Sequence, residues 1–140
     1  MGDTGSLFIG MICSILAIHF IEIQSHLTNS PFTFKSAPSV AIGILILPLF
    51  DTLRVVILRL MDGKPPFNPD RRHIHHLLID AGLSHMQATS MLIGICIVFI
   101  IMSFGLQNVG NLNLLIIIIS LATALSIILS KAAQRKRSQV

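Results

Sequence analysis

Leu112-Asn113-Leu114-Leu115-Ile116-Ile117-Ile118-Ile119-Ser120-Leu121-Ala122-Thr123-Ala124-Leu125-Ser126-Ile127-Ile128-Leu129 carries no charge, and its polar residues are hydroxyls and a single amide. About 20 such residues cross a bilayer as a helix, because a helix satisfies its own backbone where no water can. Three further stretches are long and predominantly apolar, at 7–23, 38–60 and 87–106, the first carrying Glu22 and the second Asp51, Arg54 and Arg59. Together they predict an all-α integral membrane protein with about four transmembrane helices. A mean hydropathy of +0.81 agrees, and it excludes an ordinary soluble domain. All 140 residues form one membrane-embedded unit in this reading, so any function has to be held by the bundle and its loops. No basic segment precedes the first span, since Gly2-Asp3-Thr4 stands where a signal peptide would carry its cations.

The charges are placed unevenly. Hydrophobic residues make up 53% of the chain and charged residues 11%, and the formal net charge is +4. With four spans, Arg54, Arg59, Lys64, Arg71, Arg72, Lys131, Arg135, Lys136 and Arg137 all fall on one side, and Lys35 falls on the other. Basic residues concentrate on the cytoplasmic side of membrane proteins, which predicts cytoplasmic termini and a cytoplasmic loop at 61–86. The same placement argues against nucleic acid as the partner. The basic tail at 131–140 is expected to lie disordered near anionic headgroups. Cys13 and Cys96 both sit inside spans without a CxxC pattern, and are read as small apolar filler.

Polar chemistry concentrates in Asp70-Arg71-Arg72-His73-Ile74-His75-His76. Guanidinium groups recognise phosphate in a bidentate manner, and imidazole exchanges a proton near neutral pH. Three imidazoles within four residues could also bind zinc, and a plain basic surface loop is the third reading of the same residues. Before the loop, Gly63-Lys64-Pro65-Pro66 breaks the second span, and a short helix is expected at 75–81, stopping at Gly82. Inside the second span, Pro48 is expected to kink the helix. Asp51 and Arg54, three residues apart, share a face and are expected either to pair or to look inward at a site. Asp3, between glycines at the mouth of the first span, suits Mg²⁺, which bridges one or two carboxylates to substrate phosphates. His19, His26 and His85 are expected to stand apart from the cluster.

Three strings occur in order: Gly2-Asp3-Thr4-Gly5-Ser6-Leu7, Pro48-Leu49-Phe50-Asp51-Thr52-Leu53-Arg54-Val55, and Pro69-Asp70-Arg71-Arg72-His73-Ile74-His75-His76-Leu77-Leu78. In this combination the chain resembles the C-terminal part of the polyprenyl-phosphate N-acetylhexosamine-1-phosphate transferases (glycosyltransferase family 4). The His-Ile-His-His loop looks like the GlcNAc-1-phosphate branch. It is less like phospho-MurNAc-pentapeptide transferase, whose loop has three successive histidines. The resemblance implies transfer of GlcNAc-1-phosphate from a UDP-sugar to undecaprenyl phosphate, with release of UMP, at the bacterial inner membrane. It implies Asp3 as a ligand of Mg²⁺ (with Mn²⁺ as a substitute) and His73, His75 and His76 as the residues lining the nucleotide-sugar site. Arg71 and Arg72 are placed as phosphate contacts, with Asp51 and Arg54 shaping the substrate site. The family's upstream half, with its Asp-Asp motif, is absent from these 140 residues. The expectation is a fragment whose Met1 is an internal methionine, inactive alone and completed by the missing half or by a second copy. Two readings from other classes stand beside it: a small metal-binding or metal-transporting membrane protein using the His cluster, and a non-catalytic membrane scaffold.

Overall fold

The computed structural model describes residues 3–27, 33–65 and 73–137, with the side chains of residue 3 and residues 135–137 excepted. Among these residues there are five α-helices and one short 3₁₀ turn, and no strand. The helices are α1 (Asp3–His26), α2 (Ala37–Met61), α3 (Ile74–Asp80), α4 (His85–Gly105) and α5 (Asn111–Arg137), with the 3₁₀ turn Gln107–Val109 between the last two. All but α3 are long and apolar enough to cross a membrane. The chain is a multi-pass, all-α membrane protein.

Each helix begins and ends for local reasons. Pro38 sits in the first turn of α2, where its missing amide costs nothing. The helix then runs through Pro48, which supplies no amide to the Ile44 carbonyl. Gly63, at φ 67°, closes α2: its amide donates to Leu60 O, and Lys64 donates to Arg59 O. Gly82, at φ 89°, ends α3 with the same pair of bonds, from Gly82 N to Ile79 O and from Leu83 N to Leu78 O. The left-handed conformation makes glycine the favoured residue at both positions. Two residues later α4 opens on a capping box. Ser84 Oγ accepts from Gln87 N, and Gln87 Oε1 accepts from Ser84 N at 3.0 Å.

The tail differs from expectation. Where disorder is expected over 131–140, α5 continues to Arg137, and residues 138–140 lie outside the described residues. Nothing in Ser130-Lys131-Ala132-Ala133-Gln134-Arg135-Lys136-Arg137 breaks a helix. Alanine, lysine, arginine and glutamine are all good helix formers, and cations at a helix C-terminus oppose its negative end. The short helix of the loop also begins earlier than expected, at Ile74.

Packing centres on α2, which touches α1, α4 and α5. One core cluster joins Val40 and Ile46 of α2 to Phe99 of α4 and to Leu114, Ile118 and Ala122 of α5. A second, at the basic end, joins Ile74 and Leu78 of α3 to Ala88 of α4 and Leu129 of α5. Leu125 packs against both. By contrast α1 buries none of its apolar window and packs mainly against α2, with Phe20 reaching the core cluster. Lipid is as apolar as these side chains, so association of spans depends on close contact and hydrogen bonds rather than on escape from water. The close contact is Gly43 against Ser103, where any Cβ added to Gly43 would collide with the Ser103 side chain. At the end opposite the basic cluster, the hydrogen bonds run from Ser36 Oγ to Gln107 O and from Ser39 Oγ to Asn111 O, each at 2.7 Å.

At 25 residues, α2 is ~37 Å long, against ~30 Å of hydrocarbon. At most its last turn therefore clears the oily layer, and Asp51 lies ~15 Å before the helix end. There α3 packs back on the bundle.

Gly43→Val is expected to lower the thermal midpoint in detergent, through an overpacking cost of about 1–3 kcal/mol. Ser103→Gly, which clears the colliding atoms, should recover most of the loss when the two are combined. Equal stability of Gly43→Val and the unsubstituted chain would refute the close approach of α2 and α4.

Candidate functional site

The basic end of the bundle gathers the chemistry. The antiparallel run of α1 and α2 places Asp3, the first residue of α1, at the end where α2 finishes. Gln24, near the other end of α1, marks the opposite face by accepting from Phe34 N just ahead of α2. The side chain of Asp3 lies outside the described residues, and so do Arg71 and Arg72.

Asp51 does not stand idle in its span. Its Oδ2 meets His73 Nδ1 at 2.9 Å, and its Oδ1 accepts from Ile74 N at 3.0 Å. An ionised carboxylate only accepts, so both nitrogens present hydrogen to it. Ile74 is the first residue of α3, and His73, extended at ψ 150°, is the residue before it. A carboxylate from α2 therefore caps α3, satisfying one of the helix's otherwise unpaired N–H groups. Neighbouring Arg54 donates from Nη2 to Ser130 Oγ on α5 at 2.9 Å. Sequence spacing places Asp51 and Arg54 on one face, and the fold gives each a partner on a different helix. One turn further on, Arg59 is buried and donates to Pro65 O at 3.2 Å, which fastens the start of the loop to α2.

The histidines divide into two groups. His73 is held by Asp51. His75 and His76 project from α3, their ring centroids 5.9 Å apart in an edge-to-face arrangement. His85, expected to stand apart, joins them, with its ring 5.9 Å from that of His75. The reason is the tight connection: Gly82 stops α3, Ser84 caps α4, and His85 becomes the first residue of α4 beside α3. The Ser-x-x-Gln pattern of the capping box carried that signal. His19 and His26 remain on α1, with His19 against Glu22 at 3.5 Å.

Among the described residues no three His, Cys, Asp or Glu side chains converge as metal ligands. Of the described carboxylates at this end, Asp51 has both oxygens engaged, Asp62 lies 3.9 Å from Lys64 Nζ, and Asp80 lines a cavity with Arg54. Asp3, for which the sequence suggests Mg²⁺, has its side chain outside the described residues.

Two hollows adjoin the cluster. A cavity of about 320 Å³ between α2, α3 and α5 is lined by Arg54, Leu58, Leu77, Asp80, Ser130 and Gln134 among others. A more open groove of about 460 Å³ runs between α2 and α5, walled by Phe50, Leu53, Ile57 and Ile127, with Arg54 and Lys131 also lining it.

Relatives of the chain are found in several bacteria. Over 88 residues the chain is 36% identical to the undecaprenyl-phosphate alpha-N-acetylglucosaminyl 1-phosphate transferase of Haemophilus influenzae, and 38% identical to that of Pasteurella multocida. Each match covers 63% of this chain and 22% of the relative. Over 112 residues it is 37% identical to the probable undecaprenyl-phosphate N-acetylglucosaminyl 1-phosphate transferase of Bacillus subtilis, covering 77% of this chain and 28% of that protein. The chain is related to a segment of these transferases. It spans about a quarter of the length of the curated relatives it matches. No protein-family model matches the chain, and no solved structure matches it significantly.

Asp51→Ala removes two bonds from the start of α3. Hydrogen bonds to charged groups are worth ~1.5–3 kcal/mol, so amide exchange through 74–80 should rise about 10- to 100-fold. Exchange in the middle of α4 should not change, and hydrogen-exchange mass spectrometry would check both. Unchanged protection of α3 would remove Asp51 as its anchor.

Proposed function

We propose that this chain supplies part of the active site of a transferase that moves GlcNAc-1-phosphate from UDP-GlcNAc to undecaprenyl phosphate and releases UMP. The observation that carries the reading is the folding of the His73–His76 segment onto Asp51 at the basic end of a membrane bundle. The names of its relatives support the same chemistry.

In this reading the basic end faces the cytoplasm at the bacterial inner membrane, where a soluble nucleotide sugar meets a lipid phosphate. Attack of one phosphate on a diphosphate brings anions together, and positioning with fixed positive charge offsets their repulsion. His73, His75 and His76 line the nucleotide diphosphate, Arg71 and Arg72 contact its phosphates, and His85 extends the imidazole cluster. Arg54 shapes the site from α2, beside the groove whose apolar walls and cations suit a lipid phosphate. Asp3 is the proposed ligand of Mg²⁺, together with carboxylates outside this chain's described residues. The ion, when bound, supplies charge neutralisation at the phosphates. Regions of the longer relatives that this chain does not cover, or a second copy, complete the site.

The test is UMP release from UDP-GlcNAc and undecaprenyl phosphate by membranes containing this chain. It is run with and without co-expression of the part of the Bacillus subtilis relative that the chain does not cover. Activity is expected with the added part, is removed by chelating Mg²⁺, and falls about a hundredfold or more in Asp3→Asn. Full activity of Asp3→Asn would overturn the metal assignment. No activity in any combination, with the chain inserted, would overturn the transferase reading.

A further inference from the structure

The two oxygens of Asp51 serve different donors, and a cap alone needs only one of them. Oδ1 takes the Ile74 amide, which suffices to start α3, while Oδ2 faces His73 Nδ1. The carboxylate has no hydrogen to give, so Nδ1 must carry one. In a neutral imidazole the lone pair then resides on Nε2. The His73 side chain is 43% exposed and that of Asp51 19%. The contact thus fastens one side of the ring and leaves the rest of it open on the basic face.

We propose that Asp51 is a positioning residue for His73: it fixes the ring in the Nδ1–H tautomer and reserves Nε2 for the substrate. As a lone pair, Nε2 accepts a hydrogen bond from a hydroxyl or a protonated phosphate. In an imidazolium it donates to a phosphate oxygen. The identity of what meets Nε2 rests on the transferase reading, but the tautomer does not. Asp51 is then not a substrate contact, although it lies in the same string as Arg54.

Asparagine separates this role from simple capping. Asp51→Asn has one acceptor and one donor group. With its oxygen kept on Ile74 N, its amide faces His73 Nδ1 and requires that nitrogen to accept. The cap survives and the tautomer inverts to Nε2–H.

The experiment uses the full 140-residue chain in lipid nanodiscs, labelled with ¹⁵N-histidine, with long-range ¹H–¹⁵N correlation in alkaline buffer. His73→Gln identifies the resonance. The unsubstituted chain is expected to show a protonated Nδ1 and a bare Nε2 at His73, and Asp51→Asn the reverse, with α3 still protected from exchange. In membranes co-expressing the complementary part of the Bacillus subtilis relative, Asp51→Asn should lower kcat about a hundredfold and leave KM for UDP-GlcNAc unchanged. An Nε2–H tautomer in the unsubstituted chain overturns the proposal, whether or not the variant folds. So does an unaltered tautomer in Asp51→Asn, or an unaltered kcat. If the tautomer inverts as expected and the unsubstituted chain releases no UMP in any combination, the pair stands and the transferase reading falls.

Discussion

A single carboxylate, that of Asp51, connects the bundle to its loop. Asp51 belongs to the central helix of the bundle, and its partners His73 and Ile74 open a helix of only seven residues. So short a helix is not stable by itself, because nucleation consumes most of what its hydrogen bonds return. It persists by burying Ile74 and Leu78 against α4 and α5 and by having its first amide taken by a charge. Asp51 is also costly where it stands, since an ionised group near hydrocarbon needs partners. Helix α3 and its carboxylate each relieve the other's deficit. The histidines that follow inherit their positions from that arrangement.

The hydrogen bonds that join the described spans to other elements fall into two groups. Opposite the basic cluster, Ser36 and Ser39 bond to Gln107 and Asn111 at the α4–α5 connection. At the basic end, Asp51 and Arg54 reach α3 and α5. Between them lie aliphatic contacts and the Gly43–Ser103 crossing. Aliphatic surfaces pack in many registers with little preference, so the directional bonds at the ends select one alignment. This places Arg54 and Ser130 at the level of the polar cavity they help to line.

Much of this was legible in the residues. Crossing a bilayer is a matter of composition and length, so the spans follow from runs such as 112–129. The stops at Gly63 and Gly82 follow from steric rules that act within a few residues. Pairings between distant segments were not legible. Asp51 has a cation three residues away in sequence, yet its partner lies 22 residues downstream, because the turn at Gly63 and the start of α3 bring His73 back to it. His85 joined the cluster for a similar reason, through a connection whose tightness depends on Gly82 and Ser84 together. The helical tail beyond residue 129 shows the opposite error, in which charge suggested disorder while helix propensity and an existing span favoured continuation. The candidate site was legible as a set of residue types, whereas its division into a held histidine and a group of neighbouring ones was not.

Fastening at both ends has a consequence for how the chain can change length. One residue inserted into α2 between Ser39 and Asp51 advances everything after it by ~1.5 Å and turns it by ~100°. The contact with Asn111 at one end and the contact with His73 at the other could not then both be met. Exchanges among leucine, isoleucine and valine along the same stretch leave that phase untouched. The spans are thus free to drift in identity and fixed in count, and a lengthening in one helix has to be answered by a matching change in its neighbours.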